Sequence, residues 1–352
     1  MTANHPLATI HLDHIAANFA LAKSLAPQSK QMAVIKANAY GHGFAEIAQC
    51  LTQADAFAVA RVEEGVQLRA VVPNKPIVVL EGYLDNQEVK DCELHRLSPV
   101  LHSDYQIELL PTTLPFWLKF NTGMFRLGFE PGQASELARR FAGYNLKGLM
   151  SHFANGDDPE HKLNQAQIDM FEKCRIAFPE SDCCMGNSGA LMGFQGGHGD
   201  WVRPGLMLYG GAPSGRPEAR LKPGMTLSAP IISINHLDVG DAVGYGSSWV
   251  AEKPSRIAVV ALGYADGYPR EMPGGTPIII SGQRRPLVGR VSMDMCTVLL
   301  EDADQVQPGD HAIFWGGRLP IDEIAAAAGT ISYTLMTGLG ARVKRRYEAK
   351  TS

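Results

Sequence analysis

The chain has 352 residues, 45% of them hydrophobic and 19% charged, with a formal net charge of −4. That length allows about two domains, and the mild acidity leaves no basic footprint for nucleic acid. The opening, MTANHPLATIHLDHIAANFA, has no basic region leading into an apolar one, and no apolar run reaches membrane-spanning length, so a soluble cytoplasmic protein without a membrane partner is expected. The six cysteines (Cys50, Cys92, Cys174, Cys183, Cys184 and Cys296) form no C-x-x-C pair. Free, mostly buried thiols in a reducing compartment are the expected state.

An opening strand, Ala8–Leu12, comes first and is compatible with joining a later β domain. Asp13 then reads as a helix N-cap, with Ile15 and Phe19 on one face. Apolar strand candidates follow at 32–36, 56–60, 76–80, 98–102, 115–120, 147–152, 182–187 and 201–205. Helical patterns lie between several of them, at Phe44–Leu51, Val62–Val71, Ser135–Phe141 and Gln165–Phe178. Strands apolar on both faces suit a parallel sheet covered by helices. Eight of them with helical crossovers predict a (β/α)8 TIM-type barrel over residues 1–222. A turn-rich passage with Pro213, Gly215, Pro217, Pro223 and Gly224 ends it. Short strands then fall at 226–237, 242–245, 256–262, 277–280, 287–300 and 311–314, with one helix near Asp322–Ala328. This predicts a mainly β domain over 223–352.

In a parallel barrel the C-terminal strand ends converge on one rim, where active sites form. Here those ends carry Lys36, Lys119, His152, Asn187 with Ser188, and Arg203. One polar strand end is an ordinary solvated terminus; five of eight can bind an anionic, planar, electron-poor group and supply an amine nucleophile. Gly205 and Leu206 offer backbone N–H groups at a turn, and Asn187-Ser188-Gly189-Ala190 reads as a strand entering a helix; both suit an anion. No P-loop and no G-x-G-x-x-G after a strand is present, so a phosphate on a cofactor smaller than a nucleotide fits better. No metal site is expected. His11 and His14 read as solvent-facing, His198 as a loop residue, and neither H-E-x-x-H nor G-x-S-x-G occurs.

The stretch Val34-Ile35-Lys36-Ala37-Asn38-Ala39-Tyr40-Gly41-His42-Gly43 resembles the pyridoxal-phosphate attachment signature of bacterial alanine racemases. Lys119-Phe120-Asn121-Thr122-Gly123-Met124-Phe125-Arg126-Leu127-Gly128 is similar to that family's K-x-D-T-G-M-x-R-L-G. Ser151–Ala154, Asn187-Ser188, Val202–Gly205, Val243–Gly246, Gly263–Tyr268, Gly289–Asp294 and Ile331–Tyr333 match in order, across essentially the whole chain.

The resemblance implies a barrel plus a β domain in a head-to-tail homodimer, with active sites shared between subunits. It implies interconversion of L- and D-alanine on pyridoxal 5'-phosphate, supplying D-alanine for peptidoglycan. Lys36 would carry the cofactor and serve as base for the D-enantiomer. Tyr245 of the other subunit would serve the L-enantiomer. A phenol titrates near pH 10 in water, so it needs a donor to hold its anion; His152, linked to Arg203, would be that donor. Arg203 would face the cofactor's ring nitrogen. Asn187 joins the cofactor-binding set, with phosphate contacts from Tyr40, Ser188, Gly205, Leu206 and Tyr333. Arg126 and the backbone of Met293 would hold the substrate carboxylate, and Tyr264 and Asp294 would line the entry. Lys119 matches a lysine that carries a carbamate in many relatives, but the family's aspartate two residues on is Asn121 here. Rival readings are a broader amino-acid racemase, a decarboxylase of the same architecture, and a non-catalytic pyridoxal-phosphate carrier. Tyr245 speaks against the decarboxylase. The long second domain speaks against the carrier.

Overall fold

The computed structural model describes residues 4–194 and 196–349. Contacts group the chain into two units: Ala16–Leu208, and the residues up to Ile15 together with those from Tyr209 onward.

The first unit is a closed parallel barrel. Its strands are β2 (Lys30–Val34), β3 (Ala56–Val59), β4 (Ile77–Val79), β5 (Leu97–Leu101), β6 (Phe116–Lys119), β7 (Leu146–Met150), β8 (Asp182–Asn187) and β9 (Trp201–Arg203), after an opening β1 (Leu7–His11) that belongs elsewhere. The ring closes where β9 pairs with β2, Lys30 opposite Trp201 and Gln31 opposite Val202. Strands such as Ala56–Val59 and Ile77–Val79 are buried throughout, because one face fills the barrel and the other lies under helices. Each predicted barrel strand is present, within two residues at either end.

Crossover helices include the expected Phe44–Cys50, Val62–Val71, Ala134–Arg140 and Lys162–Ile176. Asn86–Leu94 and Asp104–Glu108 escaped sequence reading because they are short and mostly polar. The first of these buries Val89 and Cys92 and starts at Asp85, whose carboxylate accepts the N–H groups of Gln87 and Glu88. Asp13 is not a cap. It lies in the first turn of Leu12–Leu25, where its charge faces the positive end of the helix, and Ile15 and Phe19 are buried as expected.

In the second unit, β10 (Met225–Leu237), β13 (Ser255–Val260), β14 (Pro277–Ile280), β15 (Gln283–Val288), β16 (Cys296–Leu300) and β17 (His311–Trp315) form an antiparallel ring in the order β13-β16-β15-β14-β17-β10, closed by β10 against β13. The small pair β11 (Ala242–Val243) and β12 (Trp249–Val250) stands apart. β1 joins β10 antiparallel, and the final strand, Lys344–Glu348, joins β1 parallel. The run 287–300 is not one strand: it ends at Val288 and resumes at Cys296. Gly289 turns with φ +69°, and a Cβ there would come within 3.1 Å of the Val243 carbonyl. A second helix, Ser332–Thr337, accompanies Ile321–Ala327; six residues carry too little periodicity to reveal it.

His11 and His14 are not solvent-facing. They are half-buried, His11 Nε2 lies 2.8 Å from Thr226 Oγ1, and His14 Nδ1 lies 2.8 Å from the Pro223 carbonyl. The six cysteines are free thiols, five of them buried. Among the described residues no helix is long and apolar enough to cross a membrane.

Candidate active site

The barrel gathers its polar strand ends on one rim. Lys119, Asn187 and Arg203 are the last residues of β6, β8 and β9, while Lys36 and His152 stand two residues beyond β2 and β7. Parallel strands point these ends the same way, so residues far apart in sequence become neighbours.

Arg203 is the centre of the cluster. It is only 4% exposed. One terminal nitrogen donates to the Cys184 carbonyl at 3.0 Å and to Cys184 Sγ at 2.9 Å. The other donates to the Ser151 carbonyl at 2.6 Å and lies 3.1 Å from His152 Nδ1. Guanidinium is donor-only, so His152 Nδ1 must accept. A neutral ring then carries its proton on Nε2, so the 3.5 Å approach of Asn187 Nδ2 to that nitrogen brings two donors together and is not a hydrogen bond. Burial holds the His152 pKa well below the usual imidazole range, and the nearby charges of Arg203, Lys119, Arg126 and Lys36 push the same way. The imidazole is therefore a neutral donor through Nε2.

Beneath it lies a network that the sequence did not single out. Buried Gln167 donates to Thr122 Oγ1 and to the His152 carbonyl, and accepts the Ala154 N–H. Thr122 and Ser151 share a 2.7 Å hydroxyl contact. Gln167 sits on helix Lys162–Ile176, and only packing reveals its role.

Both rim lysines are depressed from the usual ammonium range. For Lys36 burial is the main cause, then Arg126; Glu81 and Glu64 partly oppose it. Lys119 is 8% exposed, and burial followed by Arg203, Arg126 and Lys36 lowers it to about 7. The rim is thus cation-rich and partly desolvated. It suits anionic groups and makes both amines easier to deprotonate, as a nucleophile or base requires.

Lys36 does not end a strand, as expected from sequence. It opens a turn in which Ala37, Asn38, Ala39 and Tyr40 all have φ between 52° and 53°. For residues with a Cβ this left-handed geometry costs roughly 1–2 kcal/mol each, somewhat less for Asn. The turn keeps helical bonding of the opposite hand, with Gly41 N–H donating to the Ala37 carbonyl at 3.0 Å. Side chains hold it from several sides. Asn38 Oδ1 accepts the Phe44 N–H, His42 Nδ1 lies 2.9 Å from the Tyr40 carbonyl, and Glu64 accepts the Ala37 N–H at 2.7 Å.

A small anion cradle adjoins this turn. Ser188 Oγ accepts the N–H groups of Gly205 at 2.9 Å and Met207 at 3.3 Å, so its own proton is left to donate. A Cβ on Gly205 would meet the Tyr40 hydroxyl at 2.8 Å, so a side chain here would displace that hydroxyl. Serine O–H and tyrosine O–H are donors suited to a phosphate, and the Gly205 N–H, given to Ser188 Oγ, orients the serine donor.

Arg126 lies on an exposed loop that folds back on β6. Phe129 N–H donates to the Lys119 carbonyl at 2.8 Å and Asn121 N–H to the Phe129 carbonyl at 2.9 Å. Asn121 Oδ1 accepts the N–H of Phe125, and its Nδ2 donates to Glu130 at 3.0 Å. The departure from aspartate is thus matched by a carboxylate opposite it.

The remaining predicted residues cluster in the β unit. The Tyr245 turn packs on Gly289 and Arg290, at the start of the loop that carries Met293 and Asp294. Tyr264 N–H donates to the Ser292 carbonyl and Ala265 N–H to that of Met293. Arg342 bridges Asp294 and Asp266. Gly340 N–H donates to the Asp266 carbonyl, and a Cβ on Gly267 would strike the Gly338 carbonyl, which places the Tyr333 helix alongside. Tyr245 is 71% exposed, Met293 53%, Tyr264 40% and Tyr333 36%. These exposed side chains stand in neighbouring segments of the β unit.

Family models of the alanine racemase N-terminal and C-terminal domains match residues 10–213 and 224–347. The chain belongs to the alanine racemase family. It is 44% identical to an alanine racemase of Stutzerimonas stutzeri, over 97% of this chain and 98% of that one. It is 42% identical, over 97% and 98%, to the biosynthetic alanine racemase of Pseudomonas aeruginosa. Among solved structures, the biosynthetic alanine racemase of P. aeruginosa superposes with a TM-score of 0.93 at 41% identity, covering 98% of this chain and 100% of that one. An alanine racemase from Bartonella henselae with covalently bound pyridoxal phosphate gives 0.92 at 32% identity, with coverage of 98% and 100%. The alanine racemase fold is thus the fold expected from sequence, a parallel barrel joined to a mainly β domain.

Proposed function

We infer that this protein is a pyridoxal-phosphate-dependent isomerase that interconverts L- and D-alanine with two bases. The observation that carries this is the rim itself: a desolvated Lys36 next to a cradle of Ser188, Gly205 and Tyr40, with donor-only Arg203 fixing His152. The donor set fits pyridoxal phosphate. Lys36 would anchor it, Tyr40, Ser188, Gly205, Leu206 and Tyr333 would take its phosphate, and His152, Asn187 and Arg203 would line its ring. Bound there, the cofactor supplies an electron sink that makes the Cα proton of alanine removable.

The protein's part is to hold the amino acid and move two protons. Lys36, with its pKa lowered by burial and then by Arg126, can take a proton at Nζ on one face. Tyr245 is assigned the opposite face, its phenolate held by the Nε2–H of His152. Arg126 and the Met293 backbone bind the carboxylate, while the Met293 side chain, Tyr264 and Asp294 narrow the entry to a small side chain. The exposure of Tyr245, Tyr264, Met293 and Tyr333 supports a homodimer in which one subunit's β domain covers the other's barrel. We retain the division into 1–222 and 223–352, with the opening strand assigned to the second part. The free cysteines accord with a cytoplasmic enzyme, and D-alanine for peptidoglycan is the product this role implies.

The deciding experiment supplies L-alanine in deuterated water and follows both enantiomers by chiral chromatography with mass detection. D-alanine carrying one α-deuterium is expected. Deuterium entering L-alanine alone would show one base working with none opposite it and overturn the two-base scheme at Lys36, and no exchange by cofactor-loaded protein would end the racemase reading.

Lys119 is assigned a carbamate. With its pKa near 7, a substantial fraction of the amine is neutral at pH 7. The nitrogen lone pair can then bond to the carbon of carbon dioxide, releasing one proton and turning the neutral amine into an anion among Arg126, Arg203 and Lys36. Because the neutral amine reacts, the adduct should grow as pH rises through about 7 and vanish on acidification. Intact mass with and without bicarbonate reads it directly; a constant unmodified mass at pH 8 would refute it.

A further inference from the structure

We propose that Glu64 is a positioning residue for Lys36, acting by holding the left-handed turn that the lysine opens; this rests on the assignment of Lys36 above. Glu64 Oε1 accepts the Ala37 N–H at 2.7 Å, the amide directly after Lys36. Its Oε2 accepts the Ala60 N–H at 2.7 Å and the Arg61 N–H at 3.3 Å, just beyond the end of β3. One carboxylate therefore ties the segment after β2 to the segment after β3, at the rim.

The geometry explains why a clamp is needed. Four consecutive non-glycine residues hold positive φ, and neighbouring Gly41 and Gly43 do the same. A free chain of this sequence would relax to right-handed or extended backbone. Relaxation would rotate the Lys36 carbonyl and re-aim its Cα–Cβ bond, moving Nζ several ångströms at the end of its four-carbon stem. Asn38 and His42 bond to the later part of the turn, whereas Glu64 takes its first amide. Glu64 is half-buried, and its carboxylate also opposes the depression of the Lys36 ammonium. It sits on helix Val62–Val71 beside Glu63, which is exposed and makes no such bond to the turn. A sequence reading sees only two adjacent helix-start acids.

Glu64→Gln and Glu64→Ala are the informative variants, with Glu63→Gln as control. The amide keeps one acceptor oxygen, and its NH2 can only donate, so one of the two short N–H bonds must be lost. Glu64→Ala removes both. Hydrogen exchange of the Ala37–Tyr40 amides in the purified holoenzyme should quicken about tenfold or more in Glu64→Ala, less in Glu64→Gln, and not at all in Glu63→Gln. The absorbance band of the lysine-bound cofactor should weaken in the same order. With alanine as substrate, kcat should fall by about tenfold to a hundredfold while KM moves less than threefold, because the base is misplaced and the carboxylate contacts are untouched. Unchanged exchange and an unchanged band in Glu64→Ala would overturn the proposal. So would a lowered melting temperature with kcat and KM intact. Should wild type fail to exchange the alanine α-proton at all, the racemase reading falls, while amide exchange and the cofactor band still judge the clamp.

Discussion

Tyr245→Phe is expected to abolish conversion of L- to D-alanine while leaving deuterium exchange into D-alanine intact. The variant removes one oxygen from a residue that is 71% exposed in the β unit, so folding should be unaffected. Losing a positioned acid-base group lowers rates by about 10²–10⁴-fold, and the loss here is confined to one face. Lys36, assigned to D-alanine, would still remove and return a proton, so D-alanine should gain an α-deuterium without yielding L-alanine. Lys36→Ala should silence both faces, because the same residue anchors the cofactor. Equal residual exchange into both enantiomers in Tyr245→Phe would show that Tyr245 is not the second base.

Arg203→Glu is expected to shift the reaction from racemisation towards transamination. Arginine can only donate, so against a ring nitrogen it leaves that nitrogen unprotonated; a carboxylate would hold a proton there and make a stronger sink. A stronger sink prolongs the carbanion and gives misplaced protonation more time. The keto acid formed per racemisation event should rise about tenfold or more, and kcat should fall. The substitution also strips donors from the Cys184 and Ser151 carbonyls and from His152 Nδ1. The Cys184 carbonyl keeps the Ser151 N–H, while a buried group left unpaired costs about 1–3 kcal/mol. Arg203→Lys therefore accompanies it: lysine keeps a donor and a positive charge, and should lose rate without gaining transamination. Identical partitioning in wild type and Arg203→Glu would disprove the role given to the guanidinium. His152 offers an independent check. With Arg203 removed, its pKa should rise from the depressed position, since one of the charges lowering it has gone. NMR titration of the imidazole reads this without any turnover.

The barrel was legible because its signals are local. Strands such as AFAV and IVV are buried on both faces, and that demand writes itself as unbroken apolar runs. The polar strand ends were legible too, since a Lys, His or Arg closing such a run stands out. Failures came where the period is too short to register. Helix Ser332–Thr337 has six residues, and 287–300 looked continuous because both strands and the intervening turn contain apolar residues. Asp13 shows the same limit at an element end, where cap and first turn differ by one residue.

What the sequence determined by itself is the chemistry available: an amine at Lys36, a donor-only cation at Arg203, an imidazole at His152 and a phenol at Tyr245, in motifs matching one family from end to end. What only the tertiary structure decided is the state of those groups. The neutral His152 with its proton on Nε2 follows from an arginine 51 positions away in the chain. The depressed lysines follow from burial beside other cations. The hand of the Lys36 turn follows from Glu64, which the sequence places 27 positions from Ala37 and the barrel places 2.7 Å away. Protonation and backbone hand are set by neighbours in space, and a parallel barrel draws those neighbours from strands that the sequence keeps far apart.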